Sequence, residues 1–333
     1  MRHPDDKGVG GYFSLERATA RPARPTPWPA DALRVQSARA AITAVMRASG
    51  SRHVWVPHFI CGAVRDALSA AGVVARPYPL SDLRGVPEDL PVDDADWVLC
   101  VDYFGQSARA CDQAIARFGP RRVLVDASQA LFHRARPGAS TVYSPRKFSG
   151  VPDGGILVTP LRVAPPALAD EPASLHRTRH LHSRAAGNVA QGYLQYQEAE
   201  RSLKDCRPQA MSRTTRGILD KIDWHEVADR RTGNHRILAD ALAQAGIEVH
   251  ALPAGSVPLC CAVPCKRAVD LREKLASEGV FTAMYWPDAD VPGGDRVGQA
   301  LRDSTLYLPC DQRYDAADML DLSRVLLRHW GDQ

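Results

Sequence analysis

Short apolar stretches alternate with amphipathic stretches of about ten residues between residues 33 and 165. Apolar stretches such as DWVLCVDYF and RRVLVDAS have the length and composition of strands that are buried on both faces. Several of the amphipathic stretches end at a glycine, as helices often do. Strands that alternate with helices in this way form a mostly parallel α/β sheet. Ligands bind such sheets at the carboxyl ends of the strands, so residues at those ends are candidates for a site.

Changes of pattern along the chain predict three segments. Residues 1–32 are rich in Pro, Arg and Gly and are predicted to form an extended N-terminal arm. The alternating pattern predicts a large α/β domain over residues 33–210. Helical stretches at 211–246 and 316–330, together with strand-like stretches such as IEVHAL, PLCCAVP and VFTAMYW, predict a smaller C-terminal α+β domain over residues 211–333.

Charge, hydropathy and cysteine spacing narrow the classes of protein that fit. The formal net charge of +4 is small, and the arginines are interspersed with acids, so we expect no nucleic-acid partner. No apolar stretch reaches about 18 residues, and the first residues lack the apolar core of a signal peptide. We therefore expect a soluble, cytoplasmic protein with no membrane partner. The cysteines of CCAVPC (260–265) are interpreted as strand and loop packing, with no metal site.

One lysine is isolated in the middle of the chain. Only six of the 42 basic residues are lysines, and Lys147 is the only one between Lys7 and Lys204. Unlike a guanidinium, an amine can lose its proton and attack a carbonyl carbon. Lys147 follows the strand-like stretch STVYSP, so it should lie at a strand end. Its position alone is also compatible with a surface lysine in a turn.

Two further stretches fit a cofactor that carries a cationic ring nitrogen and a phosphate. Asp126 follows the apolar stretch VLV, where a carboxylate either caps a helix or pairs with a cationic ligand. The protonated ring nitrogen of pyridoxal phosphate (PLP) is such a cation. Ser37 precedes a helical stretch that ends at Gly50, and the free N–H groups of a helix start can bind a phosphate. Any capped helix has that last property, so Ser37 alone is a weak signal.

Several motifs make the chain resemble the DegT/DnrJ/EryC1/StrS family of sugar aminotransferases over most of its length. SARAAI is similar to the phosphate turn of the family, and VWVPHFICGAV to its following strand and helix start. VDYFGQ and VDASQAL resemble its V-H-x-x-G-Q and E-D-x-A-Q/H motifs. Gly154 and Gly155 lie seven and eight residues after Lys147, as in the family, and YLPCDQRYDAADM resembles its C-terminal turn. The resemblance is greatest to a subgroup with the motif S-x-RK-x-x-x-VPDGG.

The resemblance implies a fold-type I PLP enzyme of class α/β. Its mostly parallel, seven-stranded-type sheet would be sandwiched by helices, and a smaller C-terminal α+β domain would follow. Residues 33–210 would then be the PLP-binding domain. The resemblance also implies a homodimer whose active sites lie at the subunit interface.

The resemblance further implies roles for individual residues. Lys147 would form the Schiff base with the cofactor and then shuttle the proton, Asp126 would pair with the pyridinium nitrogen, and Gln129 would contact the ring hydroxyl. The residues implied for the phosphate are Ser37, Ala38, Arg39 and Ser144.

Four departures from the family pattern affect this assignment, and one of them is a spacing from Asp126 to Lys147 that is shorter than usual. Ser144 lies three residues before the lysine, where the family serine lies five before it. Cys61 stands where the family has an aromatic side chain that stacks on the cofactor, so Phe59 or Tyr103 is expected to take that role. Asp102 replaces a frequent histidine. The departures leave the substrate and the reaction type open.

Candidates for substrate contact come from the arm and from the basic stretch HRTRHLHSR (176–184). Tyr12 could line the site, or it could anchor the arm by packing. The basic stretch could bind a substrate phosphate, or it could be a solvated loop or helix end. The pair Arg230–Arg231 is interpreted as exposed salt-bridge chemistry on a helix. The candidates are Tyr12, Arg177, His180 and His182.

We therefore predict a PLP-dependent aminotransferase. It would transfer an amino group from an amino-acid donor to a ketone, for example a nucleotide-linked keto sugar or another biosynthetic intermediate. One alternative is a different PLP-dependent reaction, such as decarboxylation, elimination or acyl transfer. A second alternative is a scaffold protein of the same fold that has lost turnover.

Overall fold

The computed structural model describes residues 8–16, 25–82 and 84–331. The strands are β1 (Val9–Gly10), β2 (Leu33–Val35), β3 (His53–Pro57), β4 (Val74–Tyr78), β5 (Trp97–Val101), β6 (Val123–Asp126), β7 (Ser140–Tyr143), β8 (Gly155–Val158), β9 (Cys261–Pro264), β10 (Val280–Phe281) and β11 (Thr305–Leu308). The α-helices are α1 (Ala38–Ser49), α2 (Gly62–Ala71), α3 (Ala108–Phe118), α4 (Glu171–Ala185), α5 (Val189–Ser202), α6 (Arg213–Leu219), α7 (Trp224–Gln244), α8 (Ala268–Ser277), α9 (Arg296–Asp303) and α10 (Ala316–Trp330).

A seven-stranded sheet organises the larger part of the chain. Its strand order is β2-β8-β7-β6-β5-β3-β4. The five strands from β7 to β4 are mutually parallel, whereas β8 runs antiparallel to both of its neighbours. Every residue of β5, β6 and β7 is buried, as expected for strands covered on both faces. The prediction of a mostly parallel α/β sheet is confirmed.

Helix α1 begins and ends where its sequence predicts. Ser37 has an extended backbone, and its Oγ accepts a hydrogen bond from Ala40 N at 3.1 Å, which is the geometry of an N-cap. Gly50 ends the helix with a φ of 66°, a conformation that costs glycine little. The helix buries an apolar face against β8 and β7. Its first turn is thereby fixed beside the end of the sheet that carries the lysine segment.

The C-terminal part of the chain has two small sheets and a second apolar core. β9 pairs antiparallel with β11, and β10 pairs parallel with β1 of the N-terminal arm. The second core is formed by side chains of α7, α8, α10, β9 and β11. The prediction of a strand over IEVHAL is wrong. This stretch makes one ladder-type bond, from His250 N to Ala262 O at 2.8 Å, and one bond cannot define a strand.

Helices α4 and α5 form an antiparallel hairpin between β8 and α6. The stretch HRTRHLHSR, predicted as a loop or a helix end, lies inside α4. Asp170 caps this helix by accepting a hydrogen bond from Ala173 N at 3.0 Å. The apolar core of the seven-stranded sheet continues into residues Met211 and Trp224 of the C-terminal part, so the domain boundary at residue 210 stays a prediction.

None of the helices described is both long enough and apolar enough to cross a lipid bilayer.

Candidate active site

The ends of three adjacent parallel strands bring Asp102, Asp126 and Lys147 to one edge of the sheet. Asp126 is the last residue of β6, and Asp102 directly follows β5. Lys147 ends a single 3-10 turn, Pro145–Lys147, that follows β7. The backbone hydrogen bonding between β5 and β6 continues to this edge, because Asp102 N donates to Asp126 O at 3.0 Å. This is the edge at which parallel α/β sheets bind ligands.

Asp126 is buried and has no cationic partner among the residues described. Its side chain is 5% exposed. Oδ1 accepts a hydrogen bond from Ser128 N at 2.9 Å, so Asp126 caps the turn that follows β6. The second carboxylate oxygen accepts no hydrogen bond within the described ranges. A buried carboxylate without a cation is costly, and a cationic ligand would compensate it.

Gln129 is the third residue after Asp126 and carries an unsatisfied donor. Its Oε1 accepts from Phe104 N at 3.3 Å, whereas its buried Nε2 has no hydrogen-bond partner in the described part of the chain. An unpaired buried amide costs about 1–3 kcal/mol. An oxygen acceptor on a ligand, such as a ring hydroxyl, would satisfy it. The residues at this edge therefore fit PLP.

The predicted phosphate turn lies against the glycine pair that follows the lysine segment. Gly154 N donates to Gln36 O at 2.7 Å, and Ser37 forms an isolated parallel bridge with Gly154. A Cβ atom on Gly155 would lie 2.2 Å from the carbonyl carbon of Ser37, so only glycine permits this approach. Close packing against Ser37 therefore explains why the second residue of the pair, Gly155, is a glycine.

The other predicted phosphate residues differ in orientation. The Arg39 guanidinium donates to Leu203 O and lies 3.9 Å from the Asp66 carboxylate, so it points toward the segment after α5. Ala38 begins α1. Ser144 is buried, and its carbonyl accepts from Lys147 N at 3.1 Å, which closes the lysine turn.

Lys147 faces a cavity of about 100 Å³. The arm contributes Gly10 and Gly11 to its wall, and the C-terminal part contributes Arg231 and Tyr285. Lys147 Nζ lies 5.7 Å from the centre of the Trp286 ring and makes no hydrogen bond or ion pair among the described residues. The amine is therefore available to a ligand in the cavity.

The positive charge of Arg146, the residue before Lys147, is compensated by an acidic side chain. Arg146 pairs with Glu200 of α5. Burial would raise the pKa of Glu200, but the Arg146 guanidinium outweighs burial and holds that pKa below its ordinary value. The Arg146–Glu200 pair ties the lysine turn to the α4–α5 hairpin.

The two aromatic residues proposed for ring stacking pack on each other. Phe59 and Tyr103 are fully buried, with ring centroids 5.7 Å apart and an interplanar angle of 21°. Tyr103 Oη donates to Phe59 O at 2.6 Å. Trp286, which the sequence reasoning placed in a strand without a role, packs on Phe59 with centroids 4.8 Å apart. The cluster of Phe59, Tyr103 and Trp286 lies beside Lys147.

Arg231 was predicted to be exposed, and this prediction is wrong. Adjacent residues on a helix point about 100° apart. Arg230 is exposed and pairs with Glu226 at 3.3 Å, whereas Arg231 is fully buried. Arg231 donates to Gln312 Oε1 at 2.9 Å and to three backbone carbonyls, including Phe148 O. Burial lowers the pKa of Arg231.

The predicted substrate residues lie on or against the α4–α5 hairpin, in different environments. Tyr12 stacks on Tyr196 at 5.4 Å, and its hydroxyl donates to Val189 O at 2.8 Å. His180 is buried beside Tyr12, and burial lowers its pKa to about 4, so its ring is neutral at pH 7.

The remaining two side chains of this group do not join a common patch. Arg177 is buried, and its Nε donates to Ser202 Oγ at 2.7 Å. His182 is exposed. The structure brings Tyr12 and His180 together and leaves His182 apart. A phosphate role for these residues stays a prediction.

The clustered cysteines are held inside the C-terminal part. Cys260, Cys261 and Cys265 are buried, and burial raises the pKa of all three thiols, that of Cys261 to about 12. Among residues 8–16, 25–82 and 84–331, no group of three or more His, Cys, Asp or Glu side chains is arranged to hold a metal ion.

Comparison with known proteins gives matches in structure alone. No family model and no curated protein matches the sequence. DesV of S. venezuelae, solved in complex with a ketimine intermediate, is similar with a TM-score of 0.63 and 20% identity, over 91% of this chain and 85% of DesV. A DegT DnrJ EryC1 StrS aminotransferase of Brucella abortus has a TM-score of 0.59 and 18% identity, over 90% and 85% of the two chains.

A third similar structure contains a form of the cofactor. NtdA of Bacillus subtilis, solved with bound PMP, has a TM-score of 0.61 and 17% identity, over 89% of this chain and 72% of NtdA. At these identities the likeness establishes architecture, and function has to be argued from the residues of the site. The chain has the fold-type I architecture of the PLP-dependent sugar aminotransferases.

Proposed function

We propose that this chain is a PLP-dependent aminotransferase of the DegT/DnrJ/EryC1/StrS type. It would take an amino group from an amino-acid donor and pass it to a ketone such as a nucleotide-linked keto sugar. The observation that carries the proposal is the placement of Lys147, Asp126 and the unsatisfied Gln129 amide at one edge of a fold-type I sheet. The ketimine intermediate bound to DesV and the name of the Brucella abortus aminotransferase support the same reaction class.

When bound, PLP supplies an electron sink that stabilises negative charge at the substrate carbon. The residues of the chain do the remaining work. Lys147 Nζ would hold the cofactor, and the freed amine would move a proton between two carbon atoms, which requires an amine positioned near both. The Asp126 carboxylate would hold a proton on the ring nitrogen, and the unpaired Gln129 Nε2 would donate to the ring hydroxyl.

The first turn of α1 orients the cofactor from the other end. Its N-terminus favours a phosphate through its N–H groups and the helix dipole. Ser37 already uses its Oγ to cap the helix, so in our proposal the phosphate is held mainly by main-chain groups. The close approach of Gly155 to Ser37 fixes where that turn stands relative to Lys147.

The proposal includes a homodimer, as the family resemblance implies. Apolar side chains on the packed helices α4 and α5 support it, because Leu175, Tyr193 and Leu194 are 56%, 50% and 66% exposed. Exposed apolar groups mark an interaction surface where they form a contiguous patch.

The test has two stages, the first of which concerns binding. Purified protein incubated with PLP should be yellow, and borohydride reduction should fix the cofactor mass on the peptide that contains Lys147. Lys147→Ala should lose the adduct. Lys204→Ala, a change at an exposed lysine, should keep it. Protein that takes up no PLP would overturn the proposal.

The second stage separates transamination from other PLP reactions. Glutamate, glutamine, aspartate or alanine, added without an acceptor, should bleach the visible band and release one keto acid per bound cofactor. The cofactor should then be recovered as pyridoxamine phosphate. Release of carbon dioxide with return of the band would indicate a decarboxylase. An absence of spectral change with every amino acid would favour the scaffold.

A further inference from the structure

Trp286 is an aromatic residue whose ring lies close to the lysine amine. Its ring centroid lies 5.7 Å from Lys147 Nζ, 4.8 Å from the Phe59 ring and 6.0 Å from the Tyr103 ring. Phe59 and Tyr103 are fully buried, whereas Trp286 keeps 8% of its surface exposed. The aromatic cluster therefore presents Trp286, rather than Phe59 or Tyr103, toward the lysine.

The loop that carries Trp286 is anchored at the beginning of helix α2. Arg65 of α2 donates to Asp288 O at 3.1 Å and pairs with the Asp288 carboxylate at 3.2 Å. A Cβ atom on Gly62 would lie 2.9 Å from Asp288 Oδ2, so the loop approaches this helix start closely. The absence of a side chain at Gly62 thus leaves room for the Asp288 carboxylate.

The backbone of Trp286 is held in an unfavourable conformation. Its φ is 51°, in the left-handed region that bulky residues rarely adopt. Such a conformation costs on the order of 1–3 kcal/mol and persists only where the surroundings impose it. Here the imposed conformation directs the ring to the cluster beside Lys147.

We propose that Trp286 is the aromatic surface on which the cofactor ring packs when it is bonded to Lys147. The inference rests on the proposed function. A carbon bonded to Nζ lies about 1.3–1.5 Å from it, so a planar group attached there and directed toward Trp286 reaches contact distance of an indole whose centre is 5.7 Å from Nζ. Offset-stacked and edge-to-face rings are favoured at centroid separations of about 4.5–7 Å.

The test measures cofactor binding in variants that change the ring. Trp286→Phe keeps an aromatic ring, and Trp286→Leu keeps an apolar side chain without one. Trp55→Leu is the control, because Trp55 also has a cation near its ring, Arg76 at 5.7 Å, but lies in strand β3 and contacts Asp96. The readouts are the dissociation constant of PLP and the rise in Tm that PLP produces.

We expect Trp286→Leu to weaken PLP binding by about 10-fold or more and to lose most of the PLP-dependent rise in Tm, since a stacked ring pair stabilises by up to about 1.5 kcal/mol beyond its buried area. Trp286→Phe should bind within about 3-fold of the wild type. Trp55→Leu should lower Tm without PLP but leave the dissociation constant unchanged. Equal weakening in the Leu and Phe variants, or in neither, would overturn the proposal.

A measurement on the conservative variant covers the case in which Trp286→Leu does not fold. The fluorescence of wild type minus that of Trp286→Phe isolates the emission of Trp286. Reduction of PLP onto Lys147 should quench this difference, and full emission after reduction would contradict the inference. Mass spectrometry distinguishes the two failures. Protein without an adduct at Lys147 overturns the proposed function as well, whereas an adduct with unchanged Trp286 emission overturns only the role of Trp286.

Discussion

Two buried aspartates stand at neighbouring strand ends and have different partners. Asp102 Oδ2 lies 2.6 Å from His133 Nδ1, and His133 Nε2 lies 2.9 Å from Ser256 Oγ. Asp102 therefore joins the sheet to the loop that carries Ser256. Asp126 has only the Ser128 backbone as a partner among the described residues, so its charge remains available to a cationic ligand.

The difference predicts separate effects for matched substitutions. Asp126→Asn should retain PLP but slow the donor half-reaction by about 100-fold, because an amide cannot hold the ring proton by charge. Asp102→Asn should lower Tm through its contact with His133 and leave the half-reaction rate close to that of the wild type. Single-turnover absorbance and thermal melts measure both quantities. Equal rate losses in the two variants would assign both aspartates a structural role.

Sequence reasoning at this scale works where chemistry and chain position coincide. Lys147 was predicted as a site residue because it is isolated among arginines and follows a strand-like stretch, and Asp126 because a carboxylate after an apolar stretch has few roles. Trp286 could not be assigned in this way, because its neighbours Phe59 and Lys147 come from distant parts of the chain. The only local signal was the aromatic pair Tyr285–Trp286 before a proline.

Among the elements, the turn that carries the lysine is held from the side by α7 and by the segment before α10. Arg231 and Gln312 both donate to Phe148 O, at 3.3 and 2.7 Å. Gln312 also accepts from Arg231 Nε, so the three groups form one network. The residue after the lysine is thus fixed by two side chains, which limits the positions that Lys147 can adopt.

Adjacent arginines of α7 give a matched pair for testing this network. Arg231→Ala should lower the free energy of unfolding by about 3 kcal/mol or more, because it leaves a cavity and several buried carbonyl groups without donors. Arg230→Ala removes an exposed pair with Glu226 and should change it by less than about 0.5 kcal/mol. Urea unfolding followed by circular dichroism measures both. A loss below about 1 kcal/mol for Arg231→Ala would mean that its hydrogen bonds contribute little.

The elements of the alternating region were predictable and those after residue 165 were less so. In the first region each element has its own signal, such as the Ser37 cap and the Gly50 stop of α1. Helices α5 and α9 were not predicted. The IEVHAL stretch has the composition of a strand, yet it has no regular partner, since a strand exists only through its pairing.

For the whole molecule, the N-terminal arm connects parts that are distant in sequence. Strand β1 pairs with β10, and Tyr12 packs into the α4–α5 hairpin. Glu16 N donates to Gly150 O at 3.0 Å, and Gly150 N donates to Glu16 Oε2 at 3.1 Å. The arm therefore reaches the lysine segment itself, which its Pro- and Gly-rich composition did not predict.

Glu16 predicts a pH dependence of stability. Burial raises the pKa of its carboxyl group above the ordinary value of 4.5. The folded state thus binds this proton more strongly than the unfolded state does. The contribution of Glu16 to the free energy of unfolding is therefore greatest below pH 4.5 and falls as the pH rises through the raised pKa. Glu16→Gln, which keeps an oxygen acceptor for Gly150 N, should not show this fall.

Two buried histidines change stability in the opposite direction over an overlapping pH range. Burial lowers the pKa of His180 and of His250 to about 4, so their contribution to stability is lost as the pH falls below about 6.5. The quantity to measure is therefore the difference in Tm between wild type and Glu16→Gln at each pH. This difference should move in favour of Glu16→Gln as the pH rises from about 4 to about 8. A difference that stays constant would show that Glu16 keeps its ordinary pKa.

The pairing of β1 with β10 has a consequence for the order of folding during synthesis. Val9 is made well before its partner Val280, because the large sheet and most of the helices lie between them in the sequence. Contacts between such distant segments form late, because a long loop must close first. Gly10 and Gly11, which border the cavity beside Lys147, can therefore take their final positions only after β10 has been made. The nascent chain can complete its seven-stranded sheet before β10 is made, whereas the cavity beside the lysine can close only after β10 has been made.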